Sequence, residues 1–474
     1  MRGLNTRLAP AACLLGLAAM GCPALSAHAG PNMERSRPLR PGPPRYLENY
    51  DFLADSSKHN DFFDPIRYIP VSDSSWLQFG GGFRYRYEDQ NDPGFGLSGV
   101  DNDSYWQQRI QLHADLHLFD DALRAFVQLE NTESWGKETF SPYDESNNEV
   151  HQAFLDFGTD TYSGGRLTAR VGRQEMAYGE FVNTTPRAVP NVRLAFDGVR
   201  LMYADPNGYK FNAFATRPVG TVQEGSFNDT SNDSGDFYGL YATLPLTESI
   251  DDDVYYYGYR RDAAVFNGVP LEENRQTVGN RIYGAVNNVD FTLDTLYQFG
   301  DRGDQDIQAW GMSSSTGYTF NDVTGKPGVA LRFDAASGDD NPDDGESNTF
   351  DPLFPANGKF YGNASLTTLS NLIAVGPQFA FAPTSSVTVS PTILALWRES
   401  DDDAAYVPGM RPIAGTAGVP GSRLGTSYQM FVRWAATANL TFDLEYLYYD
   451  VGEVIQDVGG DDTQYASIRA SFLF

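Results

Sequence analysis

The chain is poor in cysteine, lysine and histidine, and beyond its N-terminal leader it has no long apolar run. Its two cysteines, Cys13 and Cys22, both fall in that leader. The remainder therefore has neither disulfides nor thiolate metal sites open to it. The only lysines are Lys58, Lys137, Lys210, Lys326 and Lys359, and the other basic residues are arginine. Arginine carries a planar, always-charged fork suited to carboxylates, so this bias fits a site that reads them. Past the leader the histidines are His59, His113, His117 and His151, which leaves His-based catalysis few candidates. P-loop, Gly-x-Ser-x-Gly and His-Glu-x-x-His patterns are all missing, so the expectation is a protein that is not an enzyme and uses no cofactor. No stretch after the leader approaches the ~20 apolar residues of a spanning helix. A formal net charge of −28 argues against a nucleic-acid partner.

What the chain does have begins at its N-terminus. Arg2 and Arg7 precede an apolar run from Leu8 to Met20, and Ala27-His28-Ala29 gives a small-x-small cleavage pattern before Gly30. Residues 1–29 are therefore expected to be a secretory signal peptide. Gly21-Cys22 resembles the end of a lipobox, but Ala19 stands where that motif has leucine. Residues 30–75 form a Pro-rich, mixed-charge segment expected in the periplasm.

From Trp76 to Phe474 a period of two takes over. Leu77, Phe79, Phe83, Tyr85 and Tyr87 share one face of an extended strand, with Gln78, Arg84, Arg86 and Glu88 on the other. Ile110, Leu112, Ala114, Leu116 and Leu118 oppose Arg109, Gln111, His113, Asp115 and His117 in the same way. The chain ends on such a strand, with Ala466, Ile468, Ala470, Phe472 and Phe474 on one face, which looks like the closing strand of an outer-membrane barrel. In a barrel only alternate residues face lipid, which explains a negative mean hydropathy in a membrane protein.

Soluble β-sandwiches alternate too, and the connections separate the two. Segments 89–104, 131–149, 174–197, 218–234, 338–365 and 400–424 are long, while 119–122, 158–165, 204–207, 245–253, 382–386 and 437–439 are short. Long outer loops alternating with tight inner turns mark an outer-membrane barrel. The fold class is all-β, a transmembrane antiparallel β-barrel of about 18 strands. The count of 16 stays open because the rhythm weakens between residues 254 and 326.

The polar face, the lumen, is rich in arginine: Arg84, Arg86, Arg109, Arg124, Arg170, Arg200, Arg332 and Arg398 fall on it by alternation, as do Arg281, Arg433 and Arg469. Acids such as Asp115, Asp156, Asp334 and Asp443 share that face. Arg–carboxylate ladders that stiffen the wall are one reading. Unpaired arginines lining an anion-selecting constriction are the other. The acidic runs Asp251-Asp252-Asp253, Asp339-Asp340, Asp343-Asp344 and Asp401-Asp402-Asp403 read as solvated loops, with cation bridging to lipopolysaccharide as the sharper alternative. His113 and His117 would sit ~13 Å apart on a strand, too far to chelate one ion, so no metal site is expected.

Several stretches resemble the alginate export family of outer-membrane proteins. They are Pro65-Ile-Arg-Tyr-Ile-Pro70 leading into Phe79-Gly-Gly-Gly-Phe-Arg-Tyr-Arg-Tyr-Glu88, then Gly172-Arg-Gln-Glu-Met-Ala-Tyr-Gly179 and Pro190-Asn-Val-Arg-Leu-Ala-Phe-Asp-Gly-Val-Arg200. The last is Phe350-Asp-Pro-Leu-Phe-Pro-Ala-Asn-Gly-Lys-Phe-Tyr-Gly362. The resemblance implies a monomeric 18-stranded barrel with an electropositive pore for a polyuronate. It also directs attention to Arg173, Glu175, Arg187, Arg193, Asp197 and Arg200, around a loop that could fold inward. Arg173 breaks the alternation, sharing parity with Val171.

The expectation is a passive, anion-selective channel in the bacterial outer membrane, exporting an anionic polysaccharide such as alginate. Its partners would be the lipid bilayer, lipopolysaccharide and anionic polysaccharide or small anionic solutes, with a periplasmic export partner left open. The alternatives are a general diffusion porin for small anions or sugars, an outer-membrane hydrolase, or a structural barrel.

Overall fold

A strand with one apolar and one polar face can cross a bilayer only if every backbone group is paired by a neighbouring strand, and a sheet meets that condition only by closing. The computed structural model describes residues 42–180, 182–266 and 269–474. The expected signal peptide, residues 1–29, lies outside the described residues.

The sheet closes into an antiparallel barrel of 18 strands. The first six are β1 (Ser75–Asn91), β2 (Asn102–Leu118), β3 (Leu123–Trp135), β4 (Ser146–Asp160), β5 (Arg166–Gln174) and β6 (Phe196–Ala204). Next come β7 (Lys210–Gly220), β8 (Gly235–Pro245), β9 (Ile250–Phe266), β10 (Val269–Val286), β11 (Val289–Arg302) and β12 (Gln305–Thr319). The last are β13 (Gly328–Ala336), β14 (Leu372–Thr384), β15 (Val387–Trp397), β16 (Arg423–Ala435), β17 (Leu440–Val451) and β18 (Thr463–Leu473). Each pairs with its sequence neighbour, and β1 closes the cylinder on β18 from Gly82 opposite Leu473 to Asn91 opposite Gln464.

The count settles at 18 rather than 16. The region of weak rhythm consists of β9 to β12, long strands whose outer hairpins are as tight as the inner turns, so loop length carries no signal there. Elsewhere the outer end carries the long connections, including 175–195, 337–371 and 398–422.

The two faces sort as alternation requires. Phe83, Tyr85, Leu112, Leu201, Leu240, Leu331 and Ile468 are exposed on the lipid side, as are Trp106, Trp310 and Trp434. Aromatic residues of this kind suit the membrane interface. Facing inward and buried are Arg84, Arg86, Glu88, Arg109, Asp115, Arg170, Arg281, Asp334 and Asp443.

Part of the segment before β1, expected in the periplasm, lies within the barrel. Arg45 and Tyr46 are buried inside the barrel foot. Arg45 donates to the carbonyls of Gly81 (3.1 Å) and Phe474 (2.9 Å), and the Tyr46 ring meets Phe126 and Phe154 edge-on. A Cβ on Gly80 would stand 2.6 Å from the His113 ring and one on Gly82 2.7 Å from the Leu473 side chain, so these glycines leave the foot of β1 clear for those two neighbours. The chain then leaves the lumen and wraps the rim, where Phe63 packs on Phe472 and Phe474.

Candidate functional site

Two of the long outer connections fold into the lumen instead of standing in solvent. Residues 175–195 carry the buried Met176, Tyr178, Val182, Val192 and Leu194, and residues 337–371 carry Phe350, Phe354, Phe360 and Tyr361. These apolar side chains need a partner surface, and the inward aromatics of β6 to β9 supply it. Phe354 lies 5.2 Å from Phe196, 5.0 Å from Phe237 and 5.1 Å from Tyr259, ring centre to ring centre. One side of the lumen is thus an aromatic wall filled by loop.

The two loops are fastened to each other. Phe354 N donates to Asn183 O at 3.0 Å, and Thr184 pairs with Phe354 in a parallel bridge. Lys359 reaches Glu180 at 2.5 Å, and Glu180 also binds Arg281 of β10 at 3.0 Å. Burial alone would raise the Glu180 carboxyl, but Lys359 and Arg281 outweigh it and hold the group down at about 2. Arg281 in turn contacts Asp253 at 3.0 Å. Arg332 is paired with Asp334 at 2.6 Å, and its guanidinium lies 4.1 Å from the Phe360 ring centre.

The adjoining wall, β1 to β5, is where arginine gathers. Arg84 and Arg109 stand directly opposite each other across β1 and β2. Both donate to the carbonyl of Ala188, at 3.0 and 2.9 Å, and Arg84 also donates to Asn191 Oδ1 at 2.6 Å. Arg86 donates to Val189 O at 2.9 Å and pairs with Glu88 at 2.5 Å. Among the described residues, neither Arg84 nor Arg109 has a carboxylate within ion-pair reach. Their acceptors come instead from the tip of the inward loop. Its stem is held by Arg193, which grips Glu175 with Nη2 to Oε2 at 2.8 Å, and His151 adds a contact at 2.7 Å. Burial pushes the Glu175 carboxyl up, Arg193 pulls it down further, and the group rests at about 2.

Of the remaining expected residues, Arg124 and Arg170 face the lumen and are paired with Asp115 (2.6 Å) and Asp156 (2.7 Å). Arg200 donates to Asn212 Oδ1 at 2.9 Å and lies over Tyr178 at 5.0 Å. Arg187, at the loop tip, sits over Tyr143 and Phe354 at 5.3 and 5.8 Å.

Three residues stand elsewhere than the sequence reading puts them. Arg173 and Asp197 share the outward parity of Val171 and Val199, and their 2.8 Å pair lies on the outer surface of the barrel. There they hold loop 221–234, through Asp229 O to Arg173 and Ser231 to Asp197. No bulge returns Arg173 to the lumen, because the β5–β6 register is unbroken. Arg398 lies just past β15 and organises outer loop 398–422, donating to the carbonyls of Asp401, Asp403, Thr416, Val419 and Gly421. Glu180, Lys359 and Asn191 escape sequence reasoning because loop residues obey no period. Asp253, read as part of a solvated run, sits on β9 and takes hydrogen bonds from Tyr241 and Thr243 inside the lumen.

A closed barrel with inward-folded loops and a charged interior defines an outer-membrane channel. The family model for alginate export matches residues 75–469, and the chain belongs to that family. It resides in the bacterial outer membrane. No curated protein matches the sequence at a significant level. Among solved structures, Acinetobacter baumannii OccAB1 is similar at TM-score 0.58 and 12% identity, covering 86% of this chain and 98% of that one. Acinetobacter baumannii OccAB4 gives TM-score 0.58 at 10% identity, over 85% and 99%. Pseudomonas aeruginosa OccK8 (OprE) gives 0.56 at 10%, over 84% and 98%. At these identities the likeness speaks for the fold.

Proposed function

We propose that this outer-membrane channel is passive and anion-selective, and that it exports an anionic polysaccharide such as alginate. The observation that carries the reading is the Arg84–Arg109 pair. Two like charges directly opposite on adjacent strands repel each other, and among the described residues their hydrogen-bond acceptors are carbonyl and amide oxygens. Such a site gains by taking in carboxylates. The bonds to Ala188 O carry charge on the donor side alone; a uronate carboxylate adds the opposite charge and can accept in bidentate fashion, so it can take the place of that carbonyl. Basic groups in a low-dielectric passage also concentrate anions. Conduction requires contacts weak enough to exchange, and a succession of arginines along the wall meets that need with no chemical step. The family's description, alginate export, supports the polymer.

A small-solute diffusion porin is the second reading. It is favoured by the neutralised sets Arg281–Asp253–Glu180–Lys359 and Arg332–Asp334, which place acids beside bases at the inward loops. Single-channel recording in a planar bilayer under a salt gradient, with alginate oligomers then added, separates the two. An anion-selective reversal potential with oligomer block supports polymer export. Anion selectivity without block supports the small-solute porin, and cation selectivity removes both arginine-based readings.

A further inference from the structure

We propose that residues 42–54 form a tethered plug, seated on the periplasmic half of the arginine wall, which the cargo must displace. The segment lies along the inner foot of β1 to β5, yet among the described residues it pairs with no strand. Its only regular structure is two short 3-10 turns, Arg45–Leu47 and Asp51–Ala54. It is fastened through side chains and carbonyls. Arg124 Nη2 donates to Tyr46 O at 2.6 Å, and Arg193 Nη2 donates to Gly42 O at 2.8 Å. The Arg170 guanidinium lies 4.2 Å from the Tyr46 ring centre. Tyr46 also donates from its hydroxyl to Glu175 O at 2.9 Å, joining the segment to the stem of the inward loop.

Arg124, Arg170 and Arg193 are lumen arginines, and on each of them the segment occupies a donor or a cationic face. It presents the groups a uronate chain would present, oxygen acceptors and a ring, but the oxygens it sets on Arg124 and Arg193 are neutral carbonyls. A carboxylate is the stronger acceptor for the same guanidiniums, so an arriving polymer can exchange for the segment without leaving a buried arginine unanswered. With no sheet pairing to break, withdrawal leaves the barrel intact. The identity of the displacing cargo rests on the anion-channel reading; the seating of the segment does not.

The test is the unit conductance in KCl of the full chain carrying Arg45→Ala and Tyr46→Ala, beside wild type and a chain lacking residues 42–54. Heat-modifiable migration on gels confirms that each variant forms a barrel. The expected result is a rise of about twofold or more in unit conductance, reversed in the deletion variant by a synthetic peptide of residues 42–54 added from the short-turn side only. If the double variant fails to fold, the deletion and its peptide decide the matter. Unchanged conductance in the folded variants, or peptide block from both sides alike, overturns the plug. Raised conductance in a pore that proves cation-selective keeps the plug and removes the arginine-reads-carboxylate reading.

Discussion

Arg84 and Arg109 share one acceptor: both guanidiniums donate to the carbonyl oxygen of Ala188, at 3.0 and 2.9 Å, from directly opposed positions on β1 and β2. One backbone oxygen is thus shared by two charges at the tip of the loop that narrows the lumen, and Asn191 Oδ1 is a further acceptor for Arg84. Replacing both by glutamate removes the loop's donors and reverses the local field. The reversal potential under a salt gradient is expected to move from the anion side toward the cation side, and block by alginate oligomers to weaken about tenfold or more. Block that survives both changes would place polymer recognition elsewhere.

The Arg173–Asp197 pair supplies the contrasting case. It lies on the outer surface and holds loop 221–234, away from the lumen. Alanine at either position should leave reversal potential and oligomer block as in wild type, while loop 221–234 becomes more readily cut by protease. A shift in selectivity would mean that the pair communicates with the pore.

The alternation of residues made the barrel legible, because lipid on one side and water on the other leave each strand a single solution. Arg84 and Arg86 opposite Phe83 and Tyr85 require no structure to assign. The inward loops were not legible in the same way. Glu180 and Lys359 are far apart in sequence, and their loops meet through the packing of Phe354 onto Phe196 and Phe237 and its backbone bridge to Asn183 and Thr184. Arg173 shows the opposite limit. Its parity correctly argued for the outward face, whereas its place in a family-like stretch argued for the pore, and the unbroken β5–β6 register favours parity. Arg398 follows the parity of β15 but comes one residue after the strand ends, where parity no longer applies.

Asp443 binds two arginines at once, Arg433 at 2.6 Å and Arg469 at 2.6 Å, and so ties β16, β17 and β18 beside the closing seam. Asp443→Asn keeps the shape but leaves the buried Arg433 and the partly buried Arg469 without this counter-charge. Breaking a buried pair in this way costs about 3–5 kcal/mol. The folded barrel should lose its heat-resistant gel migration at a clearly lower temperature, with the Asp443→Asn, Arg433→Gln double variant recovering part of the loss. An unchanged transition would show that water already screens the cluster.

Glu180 is the strap between the two inward loops, gripped by Lys359 and Arg281. Its carboxyl is lowered from the ordinary 4.5 to about 2: burial pushes it up, and the two cations pull it down by more. Lys359, in contrast, is drawn below its ordinary value because burial outweighs the attraction of Glu180, so the gain from pairing resides in the carboxylate. A depressed carboxyl contributes stability that is complete above its unfolded value and disappears as pH falls through its folded value. The strap should therefore hold at and above pH ~4.5 and loosen progressively toward pH ~2, a contribution on the order of 3 kcal/mol. Glu180→Gln removes that charge at every pH. Single-channel records of wild type should show loop flicker increasing on acidification through this window. The Gln variant should flicker already at neutral pH and gain little more on acidification. If wild type and variant respond to acid alike, the loops are held by the Phe354 packing and the bridge at Thr184, and the ion pair adds nothing to their closure.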